Sequence, residues 1–201
     1  MNYELIPLSQ LNDDDIKQLA ILHHSVMPTL LADLGLPIVL RYYQVARRDE
    51  SVIGICAMNS SNEITGWAMG SAYPDRINSR LRSPLPWFAF QMLRIVLTHP
   101  FVFRQLISSV LSRSAEPEMK SGAIELTYIG VASDQRGQGL GNDLLDAFVE
   151  ASRAKGYRSV ILSVEKENES AIALYEKAGF KIIRTFSEGR YQRHRMELIL
   201  E

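Results

Sequence analysis

At 201 residues, 46% of them apolar and 22% charged, the chain can bury a core without disulfides, and its composition excludes fibrous, disordered and disulfide-framework classes. Its 22 Lys and Arg against 23 Asp and Glu leave a net charge of −1, which gives no electrostatic footprint for nucleic acid. The single Cys56 rules out an internal disulfide and fits a reducing compartment, and MNYELIPLSQLNDDD lacks a basic stretch leading into an apolar one, so a cytoplasmic location is expected.

YELIPL reads as a first strand. LNDDDIKQLAILHHSVM opens with Asn and Asp side chains able to cap, then sets Ile16, Leu19, Ala20 and His23 at helical spacing. LPIVLRYYQVARRD is a second helix, with Pro37 near its first turn. SVIGICAMN and ITGWAMGSAY are strands joined as a hairpin through SSNE. From Leu85 to Leu111 the chain is apolar, but Arg94, His99, Pro100 and Arg104 interrupt it, and no uncharged run approaches the ~18–20 residues that span a bilayer. Two helices broken at His99-Pro100 are expected, because proline cannot continue the first. Their apolar face packs on the core or a second subunit, walls an acceptor site, or touches a membrane surface. Trp87, Phe88, Phe90, Phe101 and Phe103 accordingly line an acceptor pocket in one reading and a homodimer contact in the other. SRSAEPEMKSG closes the segment as a loop.

AIELTYIGV then reads as a strand, ASDQRGQGLG as a turn, and LGNDLLDAFVEASRAKG as a helix with Leu140, Leu144, Ala147, Phe148 and Ala151 on one face. Gly156 is its natural stop. YRSVILSV is a strand, NESAIALYEKAGF a helix ended by Gly179, and FKIIRTF and YQRHRMELIL a closing hairpin around SEGR. The order predicts a single α/β (α+β) domain over residues 1–201, with a central mixed sheet and helices on its faces.

The turn holds three glycines at alternate positions, Gly137, Gly139 and Gly141, where a strand ends and a helix begins. Glycine permits φ > 0 and a close approach to the backbone, and the free N–H groups of a helix start attract phosphate. A Walker loop would need Lys and Ser or Thr after the last glycine, where this chain has Asn142 and Asp143. A dinucleotide fingerprint needs a different glycine spacing. A purely structural joint remains open for the turn by itself.

RGQGLG, Arg136 to Gly141, resembles the R/Q-x-x-G-x-G/A signature of the GNAT N-acetyltransferases, and NESAIALYEKAGF, Asn168 to Phe180, is similar to that family's N-x-x-A-x-x-L-Y-x-x-x-G-F segment at every stated position. The two occur in the family's order. The resemblance is strong from about Glu125 onward, moderate over the first 72 residues, and absent from Asp75 to Gly122. It implies a mostly antiparallel central sheet with a helical insertion at 75–122 between the third and fourth strands, and an acetyl-CoA-binding core at 123–180. It also implies an acetyl-CoA-dependent acyltransferase that moves acetyl directly to a primary amine, without metal.

Under the resemblance, the amides of Arg136, Gly137, Gln138, Gly139, Leu140 and Gly141 hold the pyrophosphate, and the backbone of Ile129 and Val131 pairs with the pantetheine. The Ile129 N–H polarises the thioester carbonyl, Asn168 contacts the pantetheine, Tyr175 protonates the departing thiolate, and Glu125 matches the position of a general base. The chemistry asks for such groups. A lysine-like amine of pKa about 10.4 is only ~0.1% neutral near pH 7.4, a deficit of roughly 4 kcal/mol that a placed carboxylate removes. Bland roles stand beside these: Tyr175 as a packed ring, Asn168 as a helix cap, Glu125 as a solvated strand carboxylate. Glu125, Thr127 and Ile129 share a face if the strand is regular, and a bulge would break that parity. Cys56, in an apolar strand, is core rather than nucleophile, and His23-His24 is packing and surface rather than metal. Arg76, Arg80 and Arg82, and Arg190, Arg193 and Arg195, are two basic clusters, either solvated faces or groups that bind the adenosine phosphate or an acidic acceptor such as a nucleotide sugar. The favoured acceptor is a small molecule or amino sugar. The alternatives are a protein N-terminus or lysine, and a non-catalytic acyl-CoA-binding module.

Overall fold

Asn12 starts the first long helix by a reciprocal cap. Its Oδ1 accepts from the Asp14 and Asp15 amides at 2.8 and 3.0 Å, and the Asp15 carboxylate accepts from the Asn12 amide at 2.9 Å. Three aspartates in that first turn also favour the helix dipole. The helix, α1 (Asp13–Val26), follows strand β1 (Tyr3–Pro7), and it buries Ile16, Leu19, Ala20 and His23, the face that the spacing predicts. The computed structural model describes residues 3–98, 121–188 and 191–200.

A short helix α2 (Leu30–Asp33), capped by Thr29, precedes α3 (Leu36–Ala46), which carries Pro37 in its first turn. Strands β2 (Val52–Asn59) and β3 (Ile64–Ser71) form the expected hairpin, closed where Asn59 Oδ1 accepts from the Ser61 and Glu63 amides, both at 2.9 Å. β3 stops at Ser71, short of the expected Tyr73, because Pro74 opens helix α4 (Pro74–Leu81), an element that the sequence pattern did not reveal. Helix α5 (Leu85–Thr98) ends just before His99-Pro100, and the second expected helix, with Phe101 and Phe103, lies outside the described residues.

Strand β4 (Ala123–Val131), helix α6 (Leu140–Ala154), strand β5 (Ser159–Glu165), helix α7 (Glu169–Lys177) and strands β6 (Lys181–Glu188) and β7 (Tyr191–Ile199) complete the elements of the described residues. The seven strands form one sheet in the order β1-β2-β3-β4-β5-β7-β6. Every neighbouring pair is antiparallel except β4 and β5. One face packs Tyr43, Trp67, Ile16 and Ile38 beneath α1 and α3. The other packs Leu144, Phe148, Leu162 and Met196 beneath α6 and α7.

Two features of this sheet position the site. First, β4 carries a bulge: Tyr128 pairs with Met69 and Leu126 with Gly70, so Thr127 has no partner on β3. Second, the parallel pairing of β4 to β5 begins at Ala123↔Ser159 and ends at Leu126↔Leu162. Beyond that rung the two strands part, leaving a wedge between the end of β4 and the end of β5.

Candidate active site

The glycine turn sits where β4 ends. Gly137 and Gly139 have φ of +75° and +90°, values open to glycine at little cost, and a Cβ on either would meet nothing within 4 Å. The turn therefore faces open space. Among the described residues, none of the backbone N–H groups of residues 136 to 141 donates a hydrogen bond. The Gly139 carbonyl starts α6 by accepting from Asn142 and Asp143 at 2.8 and 3.3 Å, which aims those free amides outward from a 15-residue helix. Side chains brace the turn: Gln138 Nε2 donates to the Asp134 carbonyl at 2.8 Å, and Arg136 reaches the carbonyls of Val131 and Val26 at 3.3 and 3.4 Å. Free amides, a helix start and empty space make this cradle fit a pyrophosphate.

The cradle opens onto the wedge. The Ala132 N–H donates to Thr65 on β3 at 2.8 Å, so the alternation of backbone direction turns Val131 and Ile129 toward the parted side of β4. A Cβ on Gly141 would stand 3.9 Å from Leu174 of α7 and 4.0 Å from Val131. The turn, the end of β4 and α7 therefore converge, as the two sequence segments require.

Tyr175 lies on α7 at 7% exposure, its ring against Phe180 with centroids 5.8 Å apart. Burial alone pushes its phenol up to about 12, so it holds its proton at neutral pH. Among the described residues its hydroxyl has no hydrogen-bond partner. Asn168 does cap α7: its Oδ1 accepts from the Ala171 amide at 3.2 Å and from Ser170 Oγ at 3.1 Å, and its Nδ2 is left for another contact.

The bulge at Thr127 removes the shared face of Glu125, Thr127 and Ile129. Ile124 and Leu126 pack under α6 and α7 before the bulge, and Ile129 and Val131 do so after it. Tyr128 packs on the opposite side, beneath α1. Glu125 is on that side too, where its carboxylate adds to the burial and the neighbouring Tyr128 in pushing the Tyr42 phenol upward. Nor is Glu125 a solvated strand carboxylate. Arg195 grips it with Nη1 to Oε1 at 2.6 Å and Nη2 to Oε2 at 3.3 Å. The sequence grouped Arg195 with a basic cluster and could not pair it with Glu125, since that pairing spans three strands whose order is not local. No local signal marked it, because Arg193 and Glu197 share its face of β7 and make Arg195 one charge among three.

Other candidates fall where their environments put them. Arg193 stands 3.8 Å from Glu165 and Arg80 donates to Asp49 at 2.7 Å, while Arg76 lies over the Tyr73 ring at 4.8 Å. Arg80, Arg193 and Arg195 are thus engaged within the chain, and Arg190 lies outside the described residues. Cys56 is buried, which pushes its thiol well above its ordinary range. His23 is fully buried between Tyr43 Oη at 2.7 Å and Thr29 Oγ1 at 2.9 Å, and desolvation lowers it to about 4. Trp87 packs on the core beneath α1, whereas Phe90 is 62% exposed. Among the described residues no group of His, Cys, Asp and Glu is placed to hold a metal, and no helix is long and apolar enough to cross a membrane.

The chain is similar to known proteins in part of its sequence and in its fold. Over 58 residues, 29% of this chain and 20% of the relative, the sequence is 45% identical to the mycothiol acetyltransferase of Corynebacterium glutamicum (strain R). Over 52 residues, 26% of this chain and 30% of the relative, it is 42% identical to the L-methionine sulfoximine/L-methionine sulfone acetyltransferase of Pseudomonas paraeruginosa. The matches thus span less than a third of either relative. In shape the chain is similar to the ribosomal-protein-S18-alanine N-acetyltransferase of Escherichia coli, with a TM-score of 0.62 and 15% identity, covering 100% of this chain and 95% of that one. It is likewise similar to yncA of Salmonella typhimurium, solved with its cofactor acetyl-CoA, with a TM-score of 0.63, 14% identity and the same coverage. Residues 19–180, which hold the glycine turn, the wedge and α7, match the acetyltransferase (GNAT) family, and the chain belongs to that family.

Proposed function

We propose that this chain is an acetyl-CoA-dependent N-acetyltransferase whose acceptor is a primary amine on a small polar molecule. The observation that carries the reading is the row of undonated amides at 136–141 beside the parted strands β4 and β5. Acetyl-CoA, when bound, supplies a thioester whose acetyl carbon is the electrophile. The amides of residues 136 to 141 bind its pyrophosphate, and Asn168 Nδ2 with the backbone of Ile129 and Val131 orients its arm. The Ile129 N–H donates to the developing oxyanion, a role for which a fixed amide needs no reorganisation.

Glu125 takes the proton from the acceptor ammonium, directly or through one water. It faces the α1 side of β4, so the acceptor enters from that side, past Tyr128. Tyr175 keeps its proton at Oη for the sulfur that leaves. The products are an amide and a free thiol. Two of the relatives carry the names of small molecules, mycothiol and methionine sulfoximine, which favours that class over a peptide. A reducing cytoplasm suits the buried free Cys56 and completes the proposal.

Calorimetric titration with acetyl-CoA and with CoA tests the cofactor site, and saturable one-site binding is expected for both. Turnover is then measured over a panel of glucosamine, methionine sulfoximine, spermidine and a peptide with a free N-terminal alanine. Acetylation of a small amine is expected. Binding without turnover on any amine would make the chain an acyl-CoA-binding module, and preference for the peptide would overturn the acceptor class alone.

A further inference from the structure

Arg195 is 5% exposed, and its guanidinium reaches from β7 across β5 to β4. Besides its two bonds to Glu125, Nη1 donates to Ser163 Oγ at 2.8 Å. Ser163 stands opposite Arg195 on β5, and Glu125 stands opposite Ile161. The fork therefore closes on Glu125 one residue before the β4–β5 pairing ends at Leu126 and two before the bulge at Thr127.

On its β5 side a carboxylate at that place has one rung of ladder beyond it, while β3 holds the backbone of β4 on to Val131, so the strand is fixed but its side chain has no partner strand beside it past Leu126. A planar fork that engages both oxygens sets the orientation of the carboxylate as well as its position, and the Ser163 hydroxyl fixes the fork. An apolar pair of similar volume would join the strands at least as well, because taking two charges out of water offsets much of their attraction. As a device for cohesion the pair is poor, and as a device for aiming an oxygen it is good. The nearby pair between β7 and β5, Arg193 and Glu165, stands at 3.8 Å, beyond hydrogen-bond distance.

We propose that Arg195 is a positioning residue for acetyl transfer, holding the Glu125 carboxylate at the mouth of the wedge and acting on the reaction only through Glu125. The inference rests on Glu125 serving as the base. The test is a double-mutant cycle in kcat, using the amine of highest turnover in the panel above. E125Q is expected to lower kcat by about 10²–10³-fold, the usual contribution of a placed base. R195M is expected to lower it by about 10- to 100-fold through misplacement, with the calorimetric affinity for acetyl-CoA unchanged.

In the E125Q background the R195M effect is expected to shrink to within about twofold, because nothing remains for the fork to aim. R195K keeps the charge and loses the two-point grip, so it should recover part of kcat, and the same comparison in both backgrounds serves if R195M does not fold. Melting temperatures of all variants show which ones fold. An equal loss from R195M in both backgrounds, or no loss in the wild-type background, would overturn the positioning role while leaving the base in place. Full activity in E125Q would instead remove the base and the inference with it.

Discussion

Tyr175 shows how one side chain takes its chemistry from its surroundings. Nothing charged acts on it, and burial alone holds its phenol protonated up to about 12. At that value it is a weaker acid than a thiol of pKa about 8.5, so it serves the leaving sulfur first as a hydrogen-bond donor that is always loaded at neutral pH. Y175F keeps the ring against Phe180 and removes the proton, so kcat should fall by about 10²-fold at unchanged acetyl-CoA affinity in calorimetry. His23 titrates at the other end of the scale. Its folded-state value of about 4 lies below its ordinary 6.5, so the unfolded chain binds the proton more readily between those limits. The stability it contributes is complete above 6.5 and is lost as pH falls toward 4, by about 3 kcal/mol on the scale of 1.36 kcal/mol per unit. Chemical denaturation at pH 7 and pH 4 should show that loss in the wild type and a smaller one in H23Q. An equal loss in both would place the acid sensitivity elsewhere.

Among the elements, those with strong local periodicity were legible in the sequence. Ile16, Leu19, Ala20 and His23 of α1 and the Leu140, Leu144 and Phe148 face of α6 are buried as their spacing requires. The glycine turn and α7 were legible as motifs, because each is a run of consecutive residues. The bulge and the wedge were not, since both depend on which strand lies beside which. Gly70 illustrates this: it is an ordinary strand glycine in sequence, yet in the fold a Cβ there would stand 2.1 Å from the Glu125 carbonyl and 2.7 Å from Phe148 Cζ. G70A should therefore force β3 and β4 apart at the bulge and lower the melting temperature markedly. The double role of Asn168 can be separated at this scale. Asp caps a helix as well as Asn does, so N168D should keep the stability that N168A loses, about 1 kcal/mol. It lacks the Nδ2 donor, so it should bind acetyl-CoA more weakly in calorimetry. Equal affinity in N168D and the wild type would leave Asn168 as a cap alone.

For the whole molecule, a parted sheet leaves backbone of β4 for a ligand to pair with. Helix α6 and β4 lie on one side of the wedge and β5, β7 and α7 on the other, and beyond Leu126 no backbone pairing joins β4 to β5. A molecule bound along β4 and at the turn adds contacts that only the folded chain has. Acetyl-CoA at about 100 times its dissociation constant should stabilise the fold by about 2.7 kcal/mol. For a chain of this size that corresponds to a rise in melting temperature of about 5–10 °C. G139A isolates the turn from the rest. Its added methyl meets nothing within 4 Å in the free protein, so no packing is disturbed and the cost is that of a side chain at φ +90°, about 1–2 kcal/mol. The ligand loses more, because the methyl stands in the space before the amides and the backbone resists the left-handed turn that aims them. G139A should therefore melt slightly lower than the wild type and show little or no rise with acetyl-CoA. A full rise in G139A would mean that the turn shapes the chain without holding the phosphates, and the cofactor site would have to be sought along the wedge alone.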